Sequence, residues 1–262
     1  NADDPMVVQV ADRLNCKVVY FSKEEDNLII HKHLSVGGTA IFLKNRYITI
    51  ATRNGSVQSM HIARIPATHG GTLIHNIENC LAAVSVAYSM GVPISVIEKA
   101  ITSFYSDELQ NPGRFNVFNI KNFRVIVDYG HNIAGYRLMG EAIKKMGANR
   151  LIGIIGVPGD RDNESIKAIG CTAAEIFDKI IIKEDIDLRD RAVGEVAKLL
   201  EEGIMSKGFG ADRMEVILSE TEALKRAMKD AIAGDLIVIF HEKLEPILEI
   251  IKKASTSVDL GV

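Results

Sequence analysis

The sequence predicts an α/β protein in two parts, a Rossmann-like βα domain with a mostly parallel sheet from residue 111 onward, preceded by a part that carries a β-meander. Three observations predict it. Beyond residue 113, short apolar runs alternate with helical runs, which is the pattern of βαβ units. Before it, three β-rich runs follow one another with turn residues between them. Between the two parts, Asn111-Pro112-Gly113 breaks the pattern and opens a hairpin of two β runs, 115–120 and 123–127, around the turn-like Lys121-Asn122. A chain of 262 residues buries one large core or two modest ones, and the change of pattern favours two domains, 1–110 and 111–262.

Taken in order, Asp4 before Pro5 reads as a helix cap with proline at the first helical position, and Met6, Val7, Val10, Ala11 and Leu14 supply an apolar stripe. Residues 17–21 form a short strand. The meander comprises 40–43, 47–51 and 57–65, with Asn54-Gly55 as the hairpin signal between the last two. After the loop Thr68-His69-Gly70-Gly71, a helix begins near His75, runs through Ala82, Ala83, Val86, Ala87 and Met90, and stops at Gly91. A further helix covers 94–104. In the second part, strands at 151–156, 179–183, 214–218 and 235–240 alternate with helices at 133–146, 163–177, 192–202, 220–232 and 243–252. The run 123–127 is nearly all apolar, as a strand covered on both faces must be, and it ends in polar residues that would face a ligand crevice.

Acidic residues outnumber basic ones by 34 to 31, so no bulk positive field exists to hold nucleic acid or an anionic membrane. Cys16, Cys80 and Cys171 are far apart and embedded in apolar or helical sequence, which suits buried thiols of a reducing compartment, the cytoplasm. No apolar run approaches the ~18 residues of a membrane span, and residues 1–5 lack the features of a signal peptide. They also lack an initiator Met, so the chain is expected to be a piece of a longer polypeptide.

Five clusters could carry chemistry. His75-Asn76-x-x-Asn79 stands at a helix start, where amides either cap the helix or read the edge of a flat heterocycle. Arg114 after Pro-Gly is either a surface ion pair or a bidentate partner of phosphate or carboxylate. Asp128 to Asn132 ends a strand; Asp128 either accepts both hydroxyls of a ribose or caps the next helix, and His131 is either a ligand contact or a satisfied histidine. Gly153-x-x-Gly156-x-x-Gly159-Asp160-Arg161-Asp162 lacks the G-x-G-x-x-G spacing of a dinucleotide site, and its glycines suit tight turning. Lys183-Glu184-Asp185-Ile186-Asp187-Leu188-Arg189-Asp190-Arg191 is either a zwitterion-binding loop or a solvated one. No G-x-x-x-x-G-K-[ST] phosphate loop occurs, and no metal-ligating set is read in the chain itself.

In this order, His75-Asn76-x-x-Asn79-x-x-Ala82-Ala83, Pro112-Gly113-Arg114 and Asp128-Tyr129-Gly130-His131-Asn132 resemble three nucleotide-site motifs of the Mur ligase family, ATP-dependent enzymes that join an amino acid to a carboxylate through an acyl phosphate. The runs N-A-D-D-P, T-H-G-G, S-F-x-S-D, P-G-R-F-N and V-D-Y-G-H-N are similar to the branch that adds arginine to the aspartate side chains of a poly-aspartate backbone, a cyanophycin-type polymer. The phrases 159–162 and 183–195 look like the same branch, and the likeness spans nearly the whole chain. The resemblance implies that 1–110 is the end of a central ATPase domain and 111–262 the C-terminal Rossmann-like domain. It implies ATP as cosubstrate, with Asn79 on adenine beside His75 and Asn76, catalytic Arg114 on the γ-phosphate, and Asp128 on the ribose with His131 and Asn132 nearby. It places the incoming arginine near Asp160, Arg161, Glu184, Asp185, Asp187 and Arg189. The phosphate loop, the Mg2+ ligands and a modified lysine would lie in an upstream part of the same polypeptide, so this chain alone is expected to be inactive; a homo-oligomer is expected. The pair Asn132-Ile133 departs from the Asn-Pro of many relatives. The alternatives are a ligase of muramyl peptides or folylpolyglutamate, against which the acidic cluster 184–187 argues, and a non-catalytic nucleotide-binding module.

Overall fold

The structure, a computed structural model, describes residues 1–256 and divides into two compact units between Tyr105 and Ser106, five residues before the boundary read from sequence. The hairpin loop recruits its own approach, because Ser106 Oγ donates to the Arg114 carbonyl (2.6 Å).

In the first unit, Asp4 caps α1 (Pro5–Ala11), accepting from Met6 N and Val7 N. The expected apolar stripe is not buried: Met6 is 79% exposed, and Val7, Val10 and Leu14 also face solvent. Seven residues make only two turns, and the segment is fastened instead by Ala2, which is buried, and by Asp3, which accepts from Ser22 Oγ, Lys23 N and Asn27 Nδ2. Cys16, just beyond this surface helix, is exposed, contrary to expectation; Cys80 is buried, which pushes its thiol up to about 11, and Cys171 is half-buried. β1 (Val19–Ser22) pairs in parallel with β2 (Thr39–Lys44), and β2, β3 (Tyr47–Thr52) and β4 (Gly55–His61) form the antiparallel meander. The β1 to β2 crossover is α2 (Leu28–Ser35), absent from the sequence reading because its buried face is little more than Ile30. The chain leaves β4 at His61 rather than continuing to 65, passing into a 3-10 turn at Ile62–Arg64. α3 (Ile74–Ser89) and α4 (Ile94–Thr102) cover one face through Ile77, Leu81, Val84 and Ile97 packed on Ile41, Ile48 and Ile50.

In the second unit, β5 (Asn116–Ile120) and β6 (Phe123–Asp128) form the hairpin, with Lys121 at φ 52 in the turn. There follow α5 (Ile133–Lys144), β7 (Arg150–Ile155), α6 (Asn163–Ile176), β8 (Lys179–Ile182), α7 (Glu195–Met205), β9 (Met214–Val216), α8 (Glu220–Asp230), β10 (Asp235–Phe240) and α9 (Leu244–Thr256). The sheet order is β5-β6-β10-β7-β8-β9, parallel except for β5. Residues of α8 and α9, among them Leu224, Ala227, Ile247 and Ile251, pack on Val125, Val127, Ile152 and Ile237. On the other face, Tyr136 of α5 stacks on Phe240 at 3.9 Å, and α6 packs on α7. The last strand thus inserts between the first two parallel ones, and helices lie on both sides, as in doubly wound folds whose ligands bind at the strands' C-terminal ends.

α6 and α7 approach closely because both carry glycine at the crossing: a Cβ on Gly203 would meet the Lys167 carbonyl oxygen, and one on Gly170 the Leu200 carbonyl oxygen. Helix propensity alone favours alanine over glycine by about 1 kcal/mol. A backbone oxygen cannot swing aside, and overpacking costs roughly 1–3 kcal/mol. Gly203→Ala is therefore expected to lower the urea midpoint of the second unit, whereas Gly140→Ala, whose nearest neighbours are side-chain atoms of Ile176 rather than backbone, should lower it less. An unchanged or raised midpoint for Gly203→Ala would contradict the crossing geometry.

Candidate functional site

Arg114 sits in a turn that is held on every side. Gly113 N donates to Asn116 Oδ1 (2.6 Å), Phe115 N donates to Asp128 Oδ2 (2.9 Å), and the Arg114 carbonyl accepts from Ser106 and from Asn116 Nδ2. Its side chain is exposed, forms no ion pair among the described residues, and lies over the Tyr129 ring at 4.9 Å. The surface ion-pair alternative therefore fails. A guanidinium on an aromatic face keeps its N–H groups directed outward for an anion.

Asp128 ends β6 and organises the turn with both oxygens, Oδ2 toward Phe115 N and Oδ1 toward Gly130 N (2.7 Å). It does not cap α5; Asn132 does, accepting from Gly135 N (2.8 Å). Isoleucine at 133 is thus compatible with a capped helix start. His131 Nδ1 hydrogen-bonds to the Tyr129 carbonyl (3.0 Å), and since a carbonyl only accepts, that nitrogen carries the proton.

Next to these residues, at the C-terminal ends of β6, β7, β8 and β10, lies a crevice of ≈ 170 Å³. Tyr129, His131, Lys183, Asp185, His241 and Glu242 contribute to its walls, with Asp187, Arg189 and Lys243 at the rim. Lys183 is 1% exposed and bonds to Asp185 Oδ1 (2.6 Å) and Glu220 Oε2 (2.8 Å), side chains themselves only 11% and 9% exposed. One cation thus serves two buried carboxylates. Glu242 adds a third, accepting from Ile186 N (2.6 Å) and reached at 3.6 Å by the exposed Lys243. The lining itself balances Asp185, Asp187 and Glu242 against Lys183, Arg189 and Lys243, and Glu220 behind Lys183 adds one further negative charge.

The loops around the crevice are fixed by buried polar bonds. Glu184, 5% exposed, turns away from it and accepts from Gly194 N (2.8 Å) and Ala197 N (3.1 Å), the start of α7. That side chain is an anion on a helix N-terminus, where the orphan N–H groups need an acceptor, so it does not line the crevice as expected. Arg191 donates to the Gly159 and Arg161 carbonyls and to Glu195. The glycines of 153–159 serve close approach rather than tight turning: none has positive φ, and a Cβ on Gly153, Gly156 or Gly159 would meet Phe177, Lys183 or the Leu188 carbonyl. Asp160 and Arg161 stand 3.9 Å apart outside the crevice lining, while Asp187 and Arg189 pair at 2.8 Å in solvent.

In the first unit the capping alternative for His75-Asn76-x-x-Asn79 fails, since the N-cap of α3 is Leu73 without a side-chain bond. Asn76 Nδ2 instead donates to the Ala67 carbonyl (2.6 Å), anchoring the preceding turn, and its Oδ1 receives the Asn79 amide at 3.4 Å. Asn79 is exposed and His75 half-buried. His69, in left-handed backbone at φ 48, has its pKa lowered by burial and by the neighbouring His75.

A sequence profile described as "Mur ligase, glutamate ligase domain" matches residues 113–240, which begin at the turn of Arg114 and end with β10. These residues are a Mur ligase C-terminal domain. Over 253 residues the chain is 40% identical to a cyanophycin synthetase of Crocosphaera subtropica, a match covering 97% of this chain and 29% of that protein. The chain thus spans less than a third of the relative's length. Among solved structures, a murein peptide ligase from Psychrobacter arcticus superposes with a TM-score of 0.59 at 18% identity, covering 91% of this chain and 46% of that one. E. coli FolC in complex with ADP gives 0.57 at 17% identity, covering 84% and 47%. At such identities the likeness shows the fold.

Within this Mur ligase domain, sequence reasoning put Asp128 and His131 at the end of one strand and Asp185 and Asp187 at the end of another; His131, Asp185 and Asp187 line one crevice, while Arg114 and Asp128 stand beside it in the turn joined by Phe115 N. It missed Lys183 as the buried cation, and Glu220, His241 and Glu242 entirely. The signal for Lys183 was present, a lysine directly after the apolar run 180–182.

Breaking a buried pair costs roughly 3–5 kcal/mol when one charge is left behind. Lys183→Met is expected to destabilise the second unit by about that much, and adding Glu220→Gln should recover part of the loss; chemical denaturation of the two variants checks this. A second expectation concerns pH. Burial lowers the pKa of His241 and of His69, so their neutral forms contribute stability that is full above about 6.5 and lost as pH falls toward the lowered folded values. The urea midpoint should fall between pH 7.5 and 5.5, and the double variant His69→Gln, His241→Gln should fall less.

Proposed function

We propose that the chain is the C-terminal part of an ATP-dependent carbon–nitrogen ligase of the cyanophycin synthetase kind, which joins arginine to the side-chain carboxylate of a poly-aspartate backbone. The observation that carries the reading is the crevice: it stands where parallel strands deliver ligand contacts, it is sized for one small molecule rather than a nucleotide, and it presents the carboxylates Asp185, Asp187 and Glu242. The likeness to cyanophycin synthetase supports it. The substrate carboxylate attacks the γ-phosphorus and ADP leaves; the α-amine of arginine then attacks the acyl phosphate and inorganic phosphate leaves.

In this reading the open Arg114 guanidinium binds the oxygens of the transferring phosphoryl group, and Tyr129 holds it in place. Asp128 faces the ribose, with His131 and Asn132 beside it. Asp187 and Asp185 take the guanidinium of arginine, with Arg189, Asp160 and Arg161 on the loops around it, while Glu184 supports from behind. The reading assigns the Mg2+ ligands to an upstream part of the polypeptide, as the family resemblance implies. It also assigns the enzyme to the cytoplasm; no helix of the described residues is long and apolar enough to cross a membrane.

In the full-length enzyme, Arg114→Ala is expected to lower kcat by roughly two orders of magnitude, about 3 kcal/mol, with little change in the KM for ATP. Asp187→Asn should raise the KM for arginine and leave that for ATP unchanged, whereas Asp185→Asn should in addition destabilise the domain by freeing Lys183. Steady-state kinetics with arginine, lysine and diaminopimelate as acceptors decides between this reading and a muramyl peptide ligase, since only an arginine site should lose its preference in Asp187→Asn.

A further inference from the structure

His241 follows β10 and touches three things at once. Its backbone N–H donates to the Asp128 carbonyl (2.9 Å), its side chain lies along the crevice, and its Nε2 stands 3.3 Å from the Gly113 carbonyl oxygen. A carbonyl only accepts, so Nε2 carries the hydrogen. Burial lowers the imidazole pKa below its ordinary value, although the hydrogen bond to Gly113 and the charges of Glu220 and Asp128 pull it up, and Lys183 lowers it further; the ring at neutral pH is therefore the neutral tautomer with a single N–H, given to Gly113. The other nitrogen, Nδ1, is buried and has no hydrogen-bond partner among the described residues.

The turn that His241 holds needs holding. Gly113 has φ 72 and Phe115, a non-glycine, φ 51, a left-handed conformation that costs roughly 1–2 kcal/mol and persists only when its surroundings enforce it. Asn116, Ser106 and Asp128 fix its other polar groups, and the Gly113 carbonyl is fixed from β10. The contact is steric as well: a Cβ at Gly113 would meet His241 Nε2 at 2.5 Å and Cε1 at 3.0 Å. The His241 ring also lies 5.6 Å from the Tyr129 ring, which carries the Arg114 guanidinium.

We propose that His241 is a positioning residue for Arg114, holding both the backbone one residue before it and the ring beneath it, and so tying the wall of the crevice to the phosphate-facing side chain. The proposal rests on the role given to Arg114 above. Misplacing a transition-state donor by about an ångström is enough to cost orders of magnitude in rate.

The test uses the full-length enzyme with His241→Leu, which removes the donor, and His241→Gln, whose Nε2 reaches as far as that of histidine. Expected are a loss of roughly tenfold or more in kcat for His241→Leu with the KM for ATP within about twofold, near wild-type turnover for His241→Gln, and less than about twofold further loss when His241→Leu is added to Arg114→Ala. Equal losses with and without Arg114→Ala, or a His241→Gln enzyme as slow as His241→Leu, would overturn the proposal. If Arg114→Ala itself leaves kcat unchanged, the reading of Arg114 fails, and amide hydrogen exchange in this chain tests the link to His241 separately. Phe115 N–H should then exchange faster in His241→Leu than in wild type or His241→Gln at equal global stability. An unchanged Phe115 rate would overturn the link.

Discussion

Strand β10 lies between β6 and β7 with all six of its residues buried, and that burial disciplines everything around it. A strand covered on both faces has no place for polar side chains except at its ends. At the entry, Asp235 is wholly buried and is met by Arg150 at 2.6 Å and by Ile232 N. At the exit come His241 and Glu242, each bonded to a different loop. The same rule applies to β6, whose apolar run ends in Asp128, and to β8, whose run ends in Lys183 and Glu184. The crevice is therefore a consequence of packing: three apolar strands, β6, β8 and β10, release their charged residues at one edge of one sheet, and β7 contributes Gly156 and Pro158.

Much of this architecture was legible because hydrophobic alternation is strong where strands are covered twice. The runs 123–127, 151–156, 179–183 and 235–240 need no context to be read as strands. The first unit was less legible. α2 buries little besides Ile30, so its periodicity is faint, and the stripe of α1 has the right spacing but no partner surface among the described residues of its unit. Spacing reports which residues share a face, and not whether that face is covered. The same limit explains Cys16, judged from apolar neighbours that are themselves at the surface.

The candidate site was half legible for a related reason. Arg114, Asp128 and the cluster 184–189 stand beside strand ends or turns, where sequence points to function directly. His241 and Gly113 are 128 residues apart, and Ile186 and Glu242 are 56 apart, so only the strand order brings them together. That order, with β10 inserted between β6 and β7, is not written in the alternation of strands and helices; any of several orders satisfies it.

What separates a binding carboxylate from a structural one is the company of backbone N–H groups. Glu184 gives one oxygen each to Gly194 and Ala197, and Glu220 gives its oxygens to Lys183 and to the N–H groups of Glu242 and Lys243. These charges are committed to holding loops. Asp187 accepts from its own loop at 3.2 Å and pairs with Arg189 in solvent, a partnership worth little because water competes for both ions. In the reading proposed above, a guest cation displaces Arg189 from Asp187 at small cost, while Glu184 and Glu220 hold the surrounding loops in place. The proposed recognition of charge thus rests on the exchangeable Asp187 beside the fixed Asp185, and Glu184, committed to the start of α7, is the carboxylate that sequence spacing alone had mistaken for a ligand contact.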